Sequence, residues 1–151
     1  SYFMVCEVVD KDGVSGNPIY FKRSADGLDW GEASFIGEEL ISKNGKKALG
    51  SAPYCGWTNI GGQFGSLIVS GSHMRKGKSK TGSDYFISYD NGKTWEKDIR
   101  LYENTVSDDI GYPSTIELYD GTLLTVFYAK EKNEADPCVI MQIKWKIKTD
   151  G

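Results

Sequence analysis

Few side chains in this sequence combine a reactive type with an unusual setting. Glu7 sits inside an apolar run, with Phe3-Met-Val-Cys6 before it and Val8-Val9 after it. A carboxylate in such a strand is costly to bury unless it has a partner or a task, which makes Glu7 a candidate acid or base. On an alternating strand it could equally point to solvent. Tyr112 and Asp109 stand at the mouth of a later apolar segment, Asp109-Ile-Gly-Tyr112-Pro-Ser-Thr-Ile-Glu-Leu-Tyr-Asp120. There Asp109 could bind a substrate hydroxyl or cap a turn. Trp57 and Tyr54 offer aromatic faces on which a sugar could stack, or belong to the core. His73 and Arg75 follow Gly65-Ser-Leu-Ile-Val-Ser-Gly-Ser, where both could line a substrate loop. Arg75 also heads the cationic stretch Arg75-Lys76-Gly-Lys78-Ser-Lys80, which reads as surface charge.

Other chemistries find no support. Cys6, Cys55 and Cys138 are odd in number and widely spaced, so they form no disulfide framework and read as buried small apolar thiols. No Cys-x-x-Cys pair accompanies the single histidine, and Asp90-Asn91-Gly92 lacks the ligand spacing of a calcium loop. Phosphate-binding glycine loops and a serine nucleophile elbow are also missing, so no metal and no cofactor is expected.

The elements that would position these residues are strands. Glycine is 18 of 151 residues, above the usual ~7%, and aromatics reach 13%. Charged residues are 26% and the net charge is −3, which argues against disorder and leaves no basic field for nucleic acid. No apolar run approaches the ~20 residues of a membrane-spanning helix, so neither a nucleic-acid nor a membrane partner is expected. Strand patterns run over Tyr2–Val9, Pro18–Lys22, Ser51–Trp57, Ser66–Ser70, Asp84–Tyr89, Ser114–Leu118, Thr122–Tyr128 and Val139–Ile147. Asp-Gly pairs at Asp12-Gly13, Asp26-Gly27 and Asp120-Gly121 punctuate them. In the last segment Val139, Met141, Ile143, Trp145 and Ile147 alternate with polar residues. The best helical candidate is Glu38–Lys47, with Gly45 inside it.

The pattern repeats. Gly65-Ser-Leu-Ile-Val resembles Gly121-Thr-Leu-Leu-Thr-Val, and Phe21-Lys-Arg-Ser-Ala-Asp-Gly-Leu-Asp-Trp30 resembles Phe86-Ile-Ser-Tyr-Asp-Asn-Gly-Lys-Thr-Trp95. The repeat is roughly 55–65 residues with about four short strands, the size of a propeller blade. The units are expected at about 1–50, 51–105 and 106–151. The first would begin at its second strand, and the third would end without the Ser-Asp-Gly-Trp turn.

Ser88-Tyr-Asp90-Asn-Gly92-Lys-Thr94-Trp95 matches the Asp-box, Ser-x-Asp-x-Gly-x-Thr-Trp, at every fixed position. Ser24-Ala-Asp26-Gly27-Leu-Asp-Trp30 is a second copy, one residue shorter. The chemistry is that of a hairpin: the carboxylate accepts turn N–H groups, glycine allows positive φ, and Trp packs on neighbouring strands. These residues are therefore expected to be structural.

On these motifs the chain resembles the sialidase superfamily of Asp-box (BNR-repeat) β-propellers, over essentially its whole length. The resemblance implies an all-β fold: a six-bladed propeller when complete, with about three antiparallel four-stranded blades here. In sialidases the tyrosine opening the late-blade motif is the catalytic nucleophile and works with a glutamate. This puts Tyr112 in that place, although Pro113 follows where the family has serine. Glu7, about two units upstream, would be the glutamate. The family's arginine triad cannot be completed from Arg23, Arg75 and Arg100, and the Phe-Arg-Ile-Pro segment is missing.

Met4-Val-Cys-Glu7, Pro18 to Trp30 and Ser51-Ala-Pro-Tyr-Cys-Gly-Trp57 are also similar to exo-arabinanase-like propellers. Those trim a neutral polysaccharide with two glutamates. Glu7 would then be one carboxylate, the other would lie upstream of residue 1, and Tyr112 would hydrogen-bond in the site. Both likenesses imply a glycoside hydrolase, or part of one, cleaving terminal glycosidic bonds; the alternative is a non-catalytic propeller that binds glycan or protein. They also imply an extracellular or periplasmic setting. At this repeat length 151 residues supply fewer than three blades. The chain is therefore expected to be the C-terminal half of a propeller, closed by an N-terminal half or by a second copy.

Overall fold

A computed structural model describes residues 2–7, 19–36, 54–60, 65–74, 81–103, 106–107 and 109–148. Within these it leaves undescribed the side chains of residues 6, 7, 19, 35, 54, 67, 70–74, 81–84, 97 and 98. The helical candidate at Glu38–Lys47 lies outside the described residues. Within them the chain is all β.

Three antiparallel meanders follow one another. The first sheet is β1 (Tyr2–Glu7), β2 (Ile19–Ser24) and β3 (Ser34–Ile36), in that order. The second is β4 (Tyr54–Thr58), β5 (Ser66–Met74), β6 (Thr81–Ser88) and β7 (Glu96–Tyr102). The third is β8 (Gly111–Glu117), β9 (Leu123–Ala129) and β10 (Val139–Trp145). This arrangement is consistent with a partial propeller. The sequence patterns missed β3 and β7. β3 has three residues, and β7 opens on Glu-Lys-Asp, with only Ile99 and Leu101 showing strand-like alternation. Arg100 lies inside β7 opposite Asp84.

Alternation places the core. Phe21, Ile36, Val69 and Phe86 are buried between the first and second sheets, with Phe3, Val5, Cys55 and Trp95 packed around them. Ile68, Tyr85 and Leu123 do the same between the second and third, joined by Ile99, Leu101 and Trp145. Aromatic edges lock both layers: Phe21 meets Trp95 at 5.1 Å and Tyr85 meets Trp145 at 5.5 Å. Trp145 Nε1 donates to Thr125 Oγ1 (2.9 Å), which also pairs with Thr115 (2.8 Å), so this buried polar group is satisfied.

Polar contacts align the sheets end to end. The Thr58 hydroxyl and the Asn59 N–H, at the end of β4, both donate to Glu117 Oε2 at the end of β8 (2.7 and 2.8 Å). Arg23 Nη1, near the end of β2, donates to the Asn91 carbonyl in the turn after β6 (3.3 Å). The turns after β2, β4, β6 and β8 therefore share one end of the sheets. The opposite end carries the start of β4, the start of β8 and, because β1 is antiparallel to β2, the end of β1.

The two Ser-Asp turns show why these segments reverse. Asp90 accepts the N–H groups of Lys93 (3.0 Å) and Thr94 (2.9 Å) and the Thr94 hydroxyl (2.6 Å). Ser88 Oγ donates to Asp90 (2.8 Å) and accepts the Gly92 N–H (2.7 Å). In the shorter copy Asp26 accepts from Leu28 (2.8 Å), Asp29 (3.0 Å) and Ser24 (3.0 Å). These donors hold both carboxyls at about 2, against 3.8 ordinarily: at Asp90 chiefly the Thr94 hydroxyl and N–H, at Asp26 chiefly the Asp29 and Leu28 N–H groups. Both carboxylates stabilise the fold fully above their unfolded value, and that contribution is lost as pH falls from 3.8 through about 2. Asp90→Asn is therefore expected to lower the melting temperature at pH 7, with the gap to the parent closing towards pH 2. A gap that stays constant with pH would refute the ionic part of this account.

Candidate functional site

At the end of the sheets away from the Ser-Asp turns, the third sheet gathers a cluster of polar and aromatic groups. Asp109 lies just before β8, Tyr112 near its start, Tyr128 near the end of β9, Lys130 just after it, and Cys138 just before β10. The chain reversals between these strands bring all five together.

Tyr112 is turned outward by an irregularity in β8. Gly111 pairs with Tyr128 and Ser114 with Val126, so Tyr112 and Pro113 together oppose Phe127 alone. This is a β-bulge, and a proline, which has no N–H to give to a ladder, fits one. Pro113 is buried, whereas Tyr112 is 72% exposed with φ at 48°. A bulky residue with positive φ is strained. One face of the Tyr112 ring stacks on Tyr128, with centroids 5.7 Å apart and planes 29° apart.

Asp109 is the polar centre. Its Oδ2 accepts the Cys138 thiol proton at 3.2 Å and lies 3.9 Å from Lys130 Nζ. Lys130 also donates to the Glu134 carbonyl at 2.5 Å. Desolvation pushes the Tyr128 phenol up, and the hydrogen bond and charge of Asp109 push it further. Desolvation likewise raises the Cys138 thiol, followed by its hydrogen bond to Asp109 and the charge of that carboxylate, against a smaller opposing effect of Lys130. Asp109→Asn is thus expected to lower the Cys138 pKa and to speed its alkylation by iodoacetamide near pH 8, by severalfold. Peptide mass spectrometry over time measures this, and an unchanged rate would show that Asp109 does not control the thiol.

The cysteines depart from the expectation of buried apolar thiols. Cys138 is exposed rather than buried, because it precedes β10 at the sheet end and its sulfur serves a carboxylate instead of the core. Cys55 is half-buried on β4, where desolvation raises its thiol to about 11.

The other residues expected to act fall in different places. Glu7 closes β1 opposite Ile19, at the same end of the sheets as Tyr112, and its side chain lies outside the described ones. His73, opposite Gly82 near the end of β5, shares that end and has an undescribed side chain too. Arg75 lies outside the described residues. Trp57 is 55% exposed but sits one residue before the end of β4, beside the turn and Gly65, so it is not brought to the Tyr112 end. Ser24, Asp26, Trp30, Ser88, Asp90, Gly92, Thr94 and Trp95 all occupy the opposite turns. Tyr128, Lys130 and Cys138 are the members of the cluster that sequence reading missed. Tyr128 closes an apolar run, and only the pairing of β8 with β9 sets it under Tyr112.

Among the described residues no group of three or more His, Cys, Asp or Glu is arranged to hold a metal ion. The arrangement can stack a planar or ring-shaped ligand on Tyr112 and accept hydroxyl protons at Asp109.

No family model and no curated protein matches this sequence. Among solved structures, the chain is similar to the crystal structure of an endo-arabinase from Bacteroides thetaiotaomicron VPI-5482, with 20% sequence identity and a TM-score of 0.57. The match covers 97% of this chain and 56% of that one, so the chain spans a little over half the length of the protein it resembles. At this identity the likeness is one of fold.

Proposed function

We propose that this chain is part of a propeller-type, carbohydrate-active glycoside hydrolase. The observation that carries the reading is the likeness in fold to an endo-arabinase across nearly the whole chain. The Asp-box turns and the blade-length repeat support the same reading, as does the gathering of Tyr112, Asp109 and the end of β1 on one side of the sheets. In this proposal Glu7 is a catalytic carboxylate. Tyr112 either serves as the nucleophile beside it or hydrogen-bonds the sugar while a second carboxylate, supplied from outside these residues, completes the pair. Asp109, His73 and Arg75 bind the substrate. The remaining blades come from an N-terminal half or from a second copy.

The test is hydrolysis of aryl glycosides and of arabinan by the full-length protein, with Glu7→Gln and Tyr112→Phe as variants. Loss of general acid or base catalysis is expected to lower kcat by about 100-fold or more in Glu7→Gln. Unchanged hydrolysis in both variants would overturn the site. The products also separate two modes of cleavage. Monosaccharide release marks attack on terminal bonds, which we propose, whereas a ladder of oligosaccharides marks internal attack.

A second reading, glycan binding without hydrolysis, is favoured by the exposed face of Tyr112. It predicts saturable binding with no product.

A further inference from the structure

The turns and the repeat set the three sheets in correspondence, strand by strand. One Ser-Asp turn joins β2 to β3 and the other joins β6 to β7, so β1, β2 and β3 correspond to β5, β6 and β7. Gly65-Ser-Leu-Ile-Val leads β5 and Gly121-Thr-Leu-Leu-Thr-Val leads β9, so β8, β9 and β10 correspond to β4, β5 and β6. The first sheet therefore lacks a counterpart of β4 beside β1, and the third lacks a counterpart of β7 beside β10.

Burial shows the consequence. On β6, which has β7 at its side, Tyr85, Phe86, Ile87 and Ser88 are at most 2% exposed. No residue of β10 is buried, and Ile140 is 81% exposed. Among the described residues no strand pairs with the free edge of β10. The outward face of the third sheet is bare as well. Ile68 on β5 is buried against the third sheet, whereas Leu124, its counterpart on β9, is only half-buried. Ile116, Val126 and Ile140 share the outward face with Leu124 and are exposed. An antiparallel sheet with one face in water is polar on that face, and a long free edge is a liability. The third sheet instead has the make-up of one enclosed on both faces.

A second copy of this chain does not supply what is missing: among the described residues each of its strands is already paired in its own sheet. The solved structure that the chain resembles continues beyond the 56% matched here. We propose that a strand of the same polypeptide, from outside residues 1–151, pairs antiparallel with β10 in the place that β7 takes beside β6, and that a further sheet of that polypeptide covers Ile116, Leu124, Val126 and Ile140. This rests on reading the chain as part of a propeller, and it decides between the two sources of the remaining blades.

Hydrogen exchange of the full-length protein, read residue by residue over Val139–Trp145 by mass spectrometry, tests the strand. On an open edge alternate amides point away from β9 and exchange freely. Beside a fourth strand those amides are bonded too, and they should exchange about 100-fold or more slowly than free amides at every protein concentration. Ile140→Thr tests the face. It keeps the β-branched shape, so it is neutral in water; under another sheet its hydroxyl is desolvated, and the melting temperature should fall by about 3 °C or more. Free exchange at alternate amides would leave β10 an edge guarded by Lys144 and would overturn the proposal. Protection that fades on dilution would mark a second copy and overturn it as well. An unchanged melting temperature in Ile140→Thr would show a wet face and refute the covering sheet. Neither measurement involves hydrolysis, so an inactive protein with a protected β10 would refute the hydrolase and uphold the closure.

Discussion

Phe21→Ala is expected to destabilise the protein by about 3–5 kcal/mol. The ring is 1% exposed and fills the layer between the first and second sheets. It stacks on Phe3 at 5.8 Å, meets Trp95 edge-on at 5.1 Å, and lies beneath the Gly92 turn. Removing it takes away the transfer energy of the ring and leaves a cavity whose walls belong to two different sheets. Those walls cannot close without moving strands that are hydrogen-bonded to others, so the cost belongs at the upper part of the range. Chemical denaturation followed by tryptophan fluorescence measures it, with Trp95 reporting directly on the layer. Leu28→Ala, at a side chain that is 87% exposed, is the control and should stay within about 0.5 kcal/mol. A loss for Phe21→Ala below about 1 kcal/mol would mean that the two sheets are not packed as described.

Gly92→Ala is expected to cost about 2–5 kcal/mol, from two sources. Gly92 has φ at 79°, a conformation that costs an L-residue about 1–2 kcal/mol. A Cβ at this position would also run into the Phe21 ring, which is buried and cannot step aside, and overpacking of this kind adds about 1–3 kcal/mol. The same collision makes the two predictions interdependent. In the double variant Phe21→Ala/Gly92→Ala the new methyl enters space that the ring has vacated. The combined loss should therefore be smaller than the sum of the single losses by about 1 kcal/mol or more. Strict additivity in this cycle would show that only the backbone conformation, and not the contact between sheets, demands glycine there.

This contact shows what could be read from the residues and what could not. The Ser-Asp-Gly-Trp spacing announces a tight turn by itself, because the hydrogen bonds of Asp90 and the φ of Gly92 are local properties of a few consecutive residues. Most strands were legible for the same reason: β9 and β10 alternate along their own length. β3 and β7 escaped notice because they are short or carry charges. The contact of Gly92 with Phe21 spans two sheets, and no periodicity encodes it.

The site divides in the same way. Tyr112 and Asp109 stood out as reactive types at the head of a strand, whereas the bulge at Tyr112 and Pro113 that turns the tyrosine outward appears only in the register of β8 on β9. Tyr128, Lys130 and Cys138 are separated from them in the chain and look like the end of an apolar run and pieces of a polar loop. Cys138 read as a core thiol, because cysteine alone on an unpatterned segment gives no sign of its neighbours.

The sequence by itself determined the all-β character, the repeat and the local chemistry of the turns, since hydrophobic alternation, glycine placement and side-chain-to-backbone hydrogen bonds act over a few residues. Only the tertiary structure decided which faces meet and which side chains share one end of the sheets. Those facts come from registers between strands and from packing between sheets, where residues far apart in the chain become neighbours through pairing that neither segment specifies alone.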